Sequence, residues 1–356
     1  MKQLLCLLLM VVFCSLSHGT RIDGLYDAKI LVTDQKSNSR KVGAQQGLLE
    51  VLQKVSGFPV PQNHPVIIKA MGIADQYLYQ FSYESSDRDD LNGGIAPGGS
   101  WLQMRFEGKA IQRIIKGARL SRWGDNRPSI LVWMVVNDEG NKIIINDGLQ
   151  HDVSTALSLA ASKRGLPLIY PLYDLEDSML LPVQSLWQLM SAPIVQASKR
   201  YGAESALAAR VFKGAQGMWQ GQWSFYFQKK QYHYVYETKT LEAQTLAALS
   251  SVAQVLAGSF ALKPGNLSGN IITIEVSGIK SVNEYAGLNG YLEKLAITKR
   301  IFVNKVQGKK LTIELSLNGS VQQFEQALAL DRKLVHRQQL NESDDYHELQ
   351  YFAWRP

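Results

Sequence analysis

Residues 271–317 decide the fold of the C-terminal part of the chain: IITIEVSGIKSVNEYAGLNGYLEKLAITKRIFVNKVQGKKLTIELSL. An apolar strand comes first, a helix follows over 281–295, and two further strands meet at the turn QGKK. A second helix and a last strand come before the C-terminus. This β-α-β-β-α-β order is that of a split βαβ, or ferredoxin-like, domain. We therefore predict a ferredoxin-like domain at residues 271–356.

Working outward from this stretch, KPGNLSGN predicts a linker at 263–270. Residues 126–262 alternate helices with strands, and the continuous apolar run SILVWMVV predicts a strand that is buried on both faces. Residues 20–122 favour a smaller β-α-α-β-α unit. The predicted fold class is thus α+β and α/β, with mixed-sheet α/β units ahead of the ferredoxin-like domain.

Three individual elements are predicted from local patterns. A helix over 63–83 begins at Asn63, which acts as its cap, with a proline in the first turn. A buried strand covers 166–172. A single helix runs over 183–201 and ends at Gly202.

The first nineteen residues have the three-part pattern of a secretory signal peptide. Lys2 precedes an apolar run at 4–14, and small residues follow as far as Gly19. The run is too short to cross a hydrocarbon core of ~30 Å as a helix. We expect cleavage after Gly19, a periplasmic protein, and no stable membrane insertion after cleavage.

Composition excludes several classes of function. Both cysteines, Cys6 and Cys14, lie in the predicted signal peptide, which excludes disulfides, thiolate nucleophiles and cysteine-bound metals from the mature chain. Removing Lys2 lowers the formal charge from +7 to +6. The basic residues are scattered rather than in blocks, so we expect no nucleic-acid partner.

No complete catalytic motif is present. HELQY at 347–351 lacks the second histidine of a zinc-binding H-E-x-x-H, and SGIK at 277–280 lacks the companion motifs of the serine acyl enzymes. Glycine-rich phosphate-binding motifs and the G-x-S-x-G elbow are absent. We therefore expect neither a metal nor another cofactor, and no catalytic residue.

An acidic cluster, Asp174, Glu176 and Asp177, follows the predicted strand in RGLPLIYPLYDLED. Ligands of open α/β sheets bind beyond the carboxyl ends of strands, so these carboxylates are candidates for acid–base chemistry. The alternative is that they end a strand and precede a helix, whose N-terminal dipole suits negative charge. No second carboxylate is placed opposite them, so we favour the structural interpretation.

Aromatic residues are dense in WSFYFQKKQYHYVY, which predicts a hairpin. Period-two alternation places Tyr232, Tyr234 and Tyr236 on one face. They either form cross-strand packing or provide a stacking platform for a glycan or a partner. The platform requires that the three rings stand exposed in a row.

Lysines flank the strands of the C-terminal domain. On strand edges, lysine commonly prevents edge-to-edge pairing, and a surface for polyanions is the alternative. The lysines concerned are Lys294, Lys299, Lys305, Lys309 and Lys310.

Four stretches resemble an uncharacterised family of exported Gram-negative proteins, domain of unknown function 2066 (DUF2066). They are LLEVLQKVSG, ILVW, LPLIYPLYDLED and GYLEKLAITKRIFVNKVQGKKLTIELSLNG. The resemblance implies a periplasmic setting and brings no known activity. The order of elements in 126–262 is also similar to anticodon-binding-like domains of envelope proteins, such as the N-terminal domain of the Tol-system translocation protein and the lipoprotein activators of penicillin-binding proteins, which are interaction modules.

The sequence therefore predicts a non-enzymatic protein of the cell envelope that binds an envelope protein or polymer. The candidate surface consists of the acidic cluster and the three tyrosines. A hydrolase of an envelope polymer, acting through the acidic cluster, is the alternative, and a pore or coat subunit is a third possibility.

Overall fold

The computed structural model describes residues 20–85, 99–138, 140–149, 151–214, 216–264, 270–337 and 349–355. The predicted signal peptide, most of the predicted linker at 263–270, and His347 of the HELQY motif lie outside these residues. In the described ranges, no helix combines the length and apolar character needed to cross a membrane.

The N-terminal unit is a three-stranded antiparallel sheet with helices on one face. Its sheet order is β2-β4-β3, and the core between sheet and helices includes Leu48, Leu52 and Leu102, which are fully buried. The elements are β1 (Thr20–Arg21), β2 (Asp27–Val32), α1 (Ser37–Ser56), α2 (Pro65–Gly72), β3 (Leu78–Ser85), β4 (Ser100–Phe106) and α3 (Gly108–Gly117).

The helix predicted over 63–83 is wrong in its second half. Helix α2 ends at Gly72, and after one 3-10 turn the chain continues as β3, which pairs with β4. The aromatic residues at 79, 81 and 83 alternate with period two, which favours a strand. The cap is His64 rather than Asn63, because the Nδ1 atom of His64 accepts a hydrogen bond from the Val66 backbone at 3.3 Å.

The middle unit is a six-stranded mixed sheet covered on both faces. Strands run in the order β11-β10-β9-β6-β7, and the short β8 also pairs with β6. Strand β6 is parallel to β8 and β9. Its elements are β5 (Asn126–Arg127), β6 (Ile130–Asp138), β7 (Asn141–Ile145), α4 (Asp152–Arg164), β8 (Leu168–Ile169), α5 (Leu175–Leu180), α6 (Val183–Trp187), α7 (Ser191–Ser198), β9 (Ser205–Lys213), β10 (Trp219–Phe227), β11 (Lys230–Thr238) and α8 (Leu241–Phe260).

Helices α4 and α8 cover one face of this sheet, and α5 to α7 cover the other. Residues 130–136 of β6 are consequently buried on both sides, as its apolar run predicts. The N-terminal and middle units have separate sheets, and β1 reaches across to pair with β5.

Two predicted elements of the middle unit are shorter in the structure. The strand predicted over 166–172 is ladder-paired only at Leu168–Ile169. Pro167 and Pro171 flank these two residues, and proline lacks the N–H that a ladder requires. The helix predicted over 183–201 is divided at Leu189, whose φ of 52° is left-handed, although the chain does end its last helical turn at Gly202.

The C-terminal unit has the predicted split βαβ element order around its own core. An extra short strand, β15, lies at the sheet edge, and the sheet order is β13-β14-β12-β16-β15. The last strand, β16, inserts between β12 and β15 and runs parallel to β12. The elements are β12 (Asn270–Ser277), α9 (Val282–Lys294), β13 (Thr298–Gln307), β14 (Lys310–Leu317), α10 (Val321–Asp331), β15 (Leu334–His336) and β16 (Leu349–Trp354). The predicted mixed α+β and α/β class is confirmed, whereas the anticodon-binding-like topology of the middle unit stays a prediction.

Candidate functional site

The acidic cluster is a network of ion pairs centred on Arg200. Asp174 caps helix α5, where its Oδ1 accepts a hydrogen bond from the backbone of Asp177 at 3.1 Å. The guanidinium of Arg200 donates to both oxygens of Asp174, at 2.7 and 2.6 Å. This bidentate geometry is the strongest arrangement for an arginine–carboxylate pair.

Asp177 is the buried member of the cluster. Its carboxylate accepts hydrogen bonds from the Tyr173 backbone at 2.9 Å, from Arg200 at 3.1 Å, and from the hydroxyl of Tyr201. Glu176 is 63% exposed and lies 3.6 Å from Arg200. One guanidinium therefore faces all three carboxylates.

The electrostatics of this network favour a structural role. The Arg200 hydrogen bonds hold the pKa of Asp174 well below its usual range, so this carboxyl is not tuned as a general acid. Burial, together with the hydrogen bond to Asp177, raises the pKa of Tyr201 to about 12, so its hydroxyl remains a donor.

The tyrosine row faces helix α8 rather than solvent. Tyr232, Tyr234 and Tyr236 are half-buried against the core beneath α8. Tyr234 and Tyr236 stack with ring centroids 6.3 Å apart, and the Tyr236 hydroxyl shares a hydrogen bond with Ser251 at 2.6 Å. The exposed row that a stacking platform requires is not formed, because α8 covers that face of β11.

A different concave site lies where the three units meet. This central cleft is a cavity of 630 Å³ between the segment 123–126 and helices α9 and α10. Most of its walls are apolar. Its lining includes Phe260, Leu262, Leu295, Ile297, Ala327 and Leu330.

Polar groups converge at one end of the central cleft. The amide of Asn126 donates to the carboxyl of Asp331 at 2.7 Å, across 205 residues of sequence. Burial raises the pKa of Asp331, and burial together with Asp331 raises the pKa of Tyr291. Arg21 pairs with Asp125 at 2.7 Å. The cleft thus combines apolar walls with a few polar groups, as ligand sites at domain interfaces commonly do.

Trp123 lines the central cleft and also an adjoining cavity of 560 Å³. Its indole is almost fully buried, and its Nε1 has no hydrogen-bond partner among the residues described. A buried donor without a partner costs about 1–3 kcal/mol. Among the described residues, the indole N–H is thus an unpaired buried donor.

Arg127 holds the segment beside the cleft in place. Its guanidinium packs on the Trp123 ring at 3.9 Å and is fully buried. It donates to the carbonyls of Lys54 at 2.7 Å and Arg164 at 2.8 Å, at the C-terminal ends of α1 and α4. Helix C-terminal carbonyls carry partial negative charge and suit a cation. Arg127 therefore joins the N-terminal and middle units behind the cleft.

Two glycines of α9, Gly287 and Gly290, belong to the wall of the cleft. A Cβ atom on Gly290 would meet nothing within 4 Å, and one on Gly287 would meet only the ring of Trp354 at 3.7 Å. Glycines inside a predicted helix were a sequence signal for this wall, since they weaken a helix unless room is needed. No pattern in the sequence pointed to Asn126, Arg127 or Asp331.

Within the described ranges, no group of three or more histidine, cysteine or acidic residues is arranged to hold a metal ion.

Comparisons with known proteins match a family model to only part of the chain. A family model, Domain of unknown function (DUF8605), matches residues 20–124. This family differs from DUF2066, so the resemblance to DUF2066 is wrong. No curated protein matches the chain. A solved structure of a competence-damaged protein (CinA) superfamily protein from Escherichia coli is similar over 42% of this chain and 86% of that chain, with 15% identity and a TM-score of 0.21, which is too low to carry an argument.

Proposed function

We propose that this protein is a non-enzymatic binding protein of the periplasm, which holds another envelope component in the central cleft. The observation that carries the proposal is the cleft itself, 630 Å³ of mostly apolar space at the junction of the units. Ligand sites typically occupy clefts of about 300–1,000 Å³ at domain interfaces.

The acidic cluster gives no support to the alternative of an envelope hydrolase. General acid–base catalysis needs a carboxyl whose pKa is raised towards the working pH. Arg200 instead lowers the pKa of Asp174 and pairs with Asp177. The cluster lies at the N-cap and in the first turn of α5 in the middle unit, and none of its members lines the central cleft.

Site-specific photo-crosslinking in cells tests the proposal. A benzoylphenylalanine is placed at Lys294, on the wall of the cleft, or at Val282, which is 81% exposed on the same helix but outside the cleft lining. We expect an adduct, read as a mass shift of the purified protein, from position 294 and not from 282. The adduct should disappear when Gly290→Leu fills the cleft. An adduct that survives Gly290→Leu, or an equal yield at 282, would rule out the cleft.

The periplasmic setting has its own test. Protein released from the periplasm by osmotic shock should begin at Thr20 when its N-terminus is sequenced, because cleavage is expected after Gly19. Recovery of a chain that retains Met1 in the cytoplasmic fraction would contradict export.

A further inference from the structure

The charges of the central cleft are unbalanced. Three cations line it, Arg21, Lys294 and Lys333, against two carboxylates, Asp125 and Asp331. Arg21 and Asp125 neutralise each other in an ion pair. The remaining carboxyl, that of Asp331, accepts a hydrogen bond from Asn126 at 2.7 Å, and the lining as a whole carries one more cation than carboxylates.

The two lysines are the cations of the lining that lie outside the Arg21–Asp125 ion pair. Lys294 ends helix α9 and Lys333 follows helix α10, and both are exposed. Neither forms an ion pair with any residue that the structure describes. Long lysine side chains pack their stems on apolar surface and keep the ammonium in water, so they suit the mouth of an apolar cavity.

One helical turn before Lys294, on the same face of α9, the wall of the cleft lacks a side chain at Gly290. A glycine inside a helix costs about 1 kcal/mol relative to alanine. Gly290 has no packing neighbour that requires it, since a Cβ there would enter open space. The missing side chain enlarges the cleft, whose apolar lining includes Phe260 and Leu262.

We infer that the central cleft binds a small anionic amphiphile. Its apolar body lies along Gly290, Phe260 and Leu262, and its anionic group is at Lys294 and Lys333. This inference rests on the proposed function, because it names the ligand chemistry of the same cleft.

Two fluorescent probes with similar aromatic bodies test the charge preference. 1-Anilinonaphthalene-8-sulfonate carries an anionic sulfonate, and N-phenyl-1-naphthylamine is neutral. With the full mature chain, we expect the anionic probe to bind at one site at least about tenfold more tightly than the neutral probe, and to weaken as salt is added. The double substitution Lys294→Glu and Lys333→Glu should remove that preference and leave the neutral probe unaffected.

A matched pair of glycine variants tests the location. Gly290→Leu should abolish binding of both probes by filling the cleft. Gly258→Leu is the control, because Gly258 is also a helical glycine with nothing within 4 Å of an added Cβ, but it lies on α8 outside the cleft lining. Gly290→Ala, which favours the helix, should weaken binding while keeping the fold, as read by circular dichroism.

The outcomes separate the two proposals. Equal affinity for the two probes, together with loss of both in Gly290→Leu, would overturn the anionic preference and leave the cleft as a binding site. Binding that is the same in Gly290→Leu and in the unmodified chain would overturn both proposals. The inference is supported if the anionic probe binds more tightly than the neutral probe, if Gly290→Leu abolishes binding, and if the double lysine substitution removes the preference.

Discussion

At the scale of single residues, two arginines organise the molecule, and they do so by opposite means. Arg200 is partly exposed and forms ion pairs with Asp174 and Asp177. Arg127 is fully buried, and within the described residues it forms no ion pair and binds backbone carbonyls instead. Burial lowers the pKa of Arg127 to about 9, because the charged guanidinium loses its contact with water. The hydrogen bonds to carbonyls at two helix ends offset this cost of desolvation.

Asp177 and Glu176 should differ sharply in their effect on stability, although they are neighbours. Asp177→Asn should lower the free energy of unfolding by about 2–3 kcal/mol, because a fully buried carboxylate that accepts three hydrogen bonds loses its charge. Glu176→Gln is the control and should change it by less than about 0.5 kcal/mol, since the side chain is exposed. Urea unfolding of the two variants checks this, and equal effects would contradict the network described here.

The Asp174–Arg200 pair should make stability depend on pH in the acid range. The pKa of Asp174 is lower in the folded chain than its unfolded value of 3.8. Its contribution is therefore complete above that value, declines as the pH falls below it, and is lost once the pH passes the lowered pKa of the folded state. The urea midpoint of the unmodified chain should fall more between about pH 5 and about pH 3 than that of Asp174→Asn. A parallel decline in both proteins would show that the pair contributes nothing.

At the scale of elements, local sequence patterns predicted whether a segment is a helix or a strand better than they predicted where it begins and ends. The apolar run of β6 and the alternation in β10 and β11 are specific enough to define those strands, because side-chain period follows directly from backbone geometry. The strand around Leu168 and the helix around Leu189 were predicted too long, since their ends depend on which backbone groups find partners. The strand's partner, β6, is distant in sequence, whereas the helix is divided at the left-handed residue Leu189.

The close approach of the C-cap of α1 to α8 depends on Gly57. Its φ is +75°, and a Cβ atom there would lie 2.3 Å from the Cβ of Ala257. Gly57→Ala should lower the free energy of unfolding by at least about 2 kcal/mol, from overpacking added to backbone strain. Gly308→Ala is the matched control, with a φ of +60° and open space around the Cβ, and should cost about 1 kcal/mol. Equal costs, measured by thermal unfolding, would show that strain alone acts at Gly57.

At the scale of the whole molecule, the candidate site exists only because the units are joined. Asn126 precedes the first long strand of the middle unit, and Asp331 ends the last helix of the C-terminal unit. A two-residue bridge between Arg122 and Leu262, with N–O distances of 2.9 Å in both directions, joins the segment before Trp123 to the end of α8, and Leu262 lines the cleft.

The C-terminal unit should nevertheless fold by itself. The fragment 270–356 keeps a core of its own, built around residues such as Leu292, Leu315 and Phe324. We expect a single cooperative urea transition, at a lower midpoint than in the full chain because the cleft face is uncovered. The fluorescence of Trp354, which is the fragment's only tryptophan, reports it. A gradual, non-cooperative change would show that this core needs its neighbours.

The sequence by itself determined the class of the fold, the buried strand β6, the aromatic hairpin and the β-α-β-β-α-β order of the last unit. These depend on side-chain period and on turn residues, which are local properties of the chain. Only the tertiary structure decided that Arg200 pairs with the acidic cluster, that α8 covers the three tyrosines, and that a cleft forms where Asn126 meets Asp331. Each of these depends on contacts between residues far apart in the chain, and no local pattern in one sequence encodes which distant groups will meet.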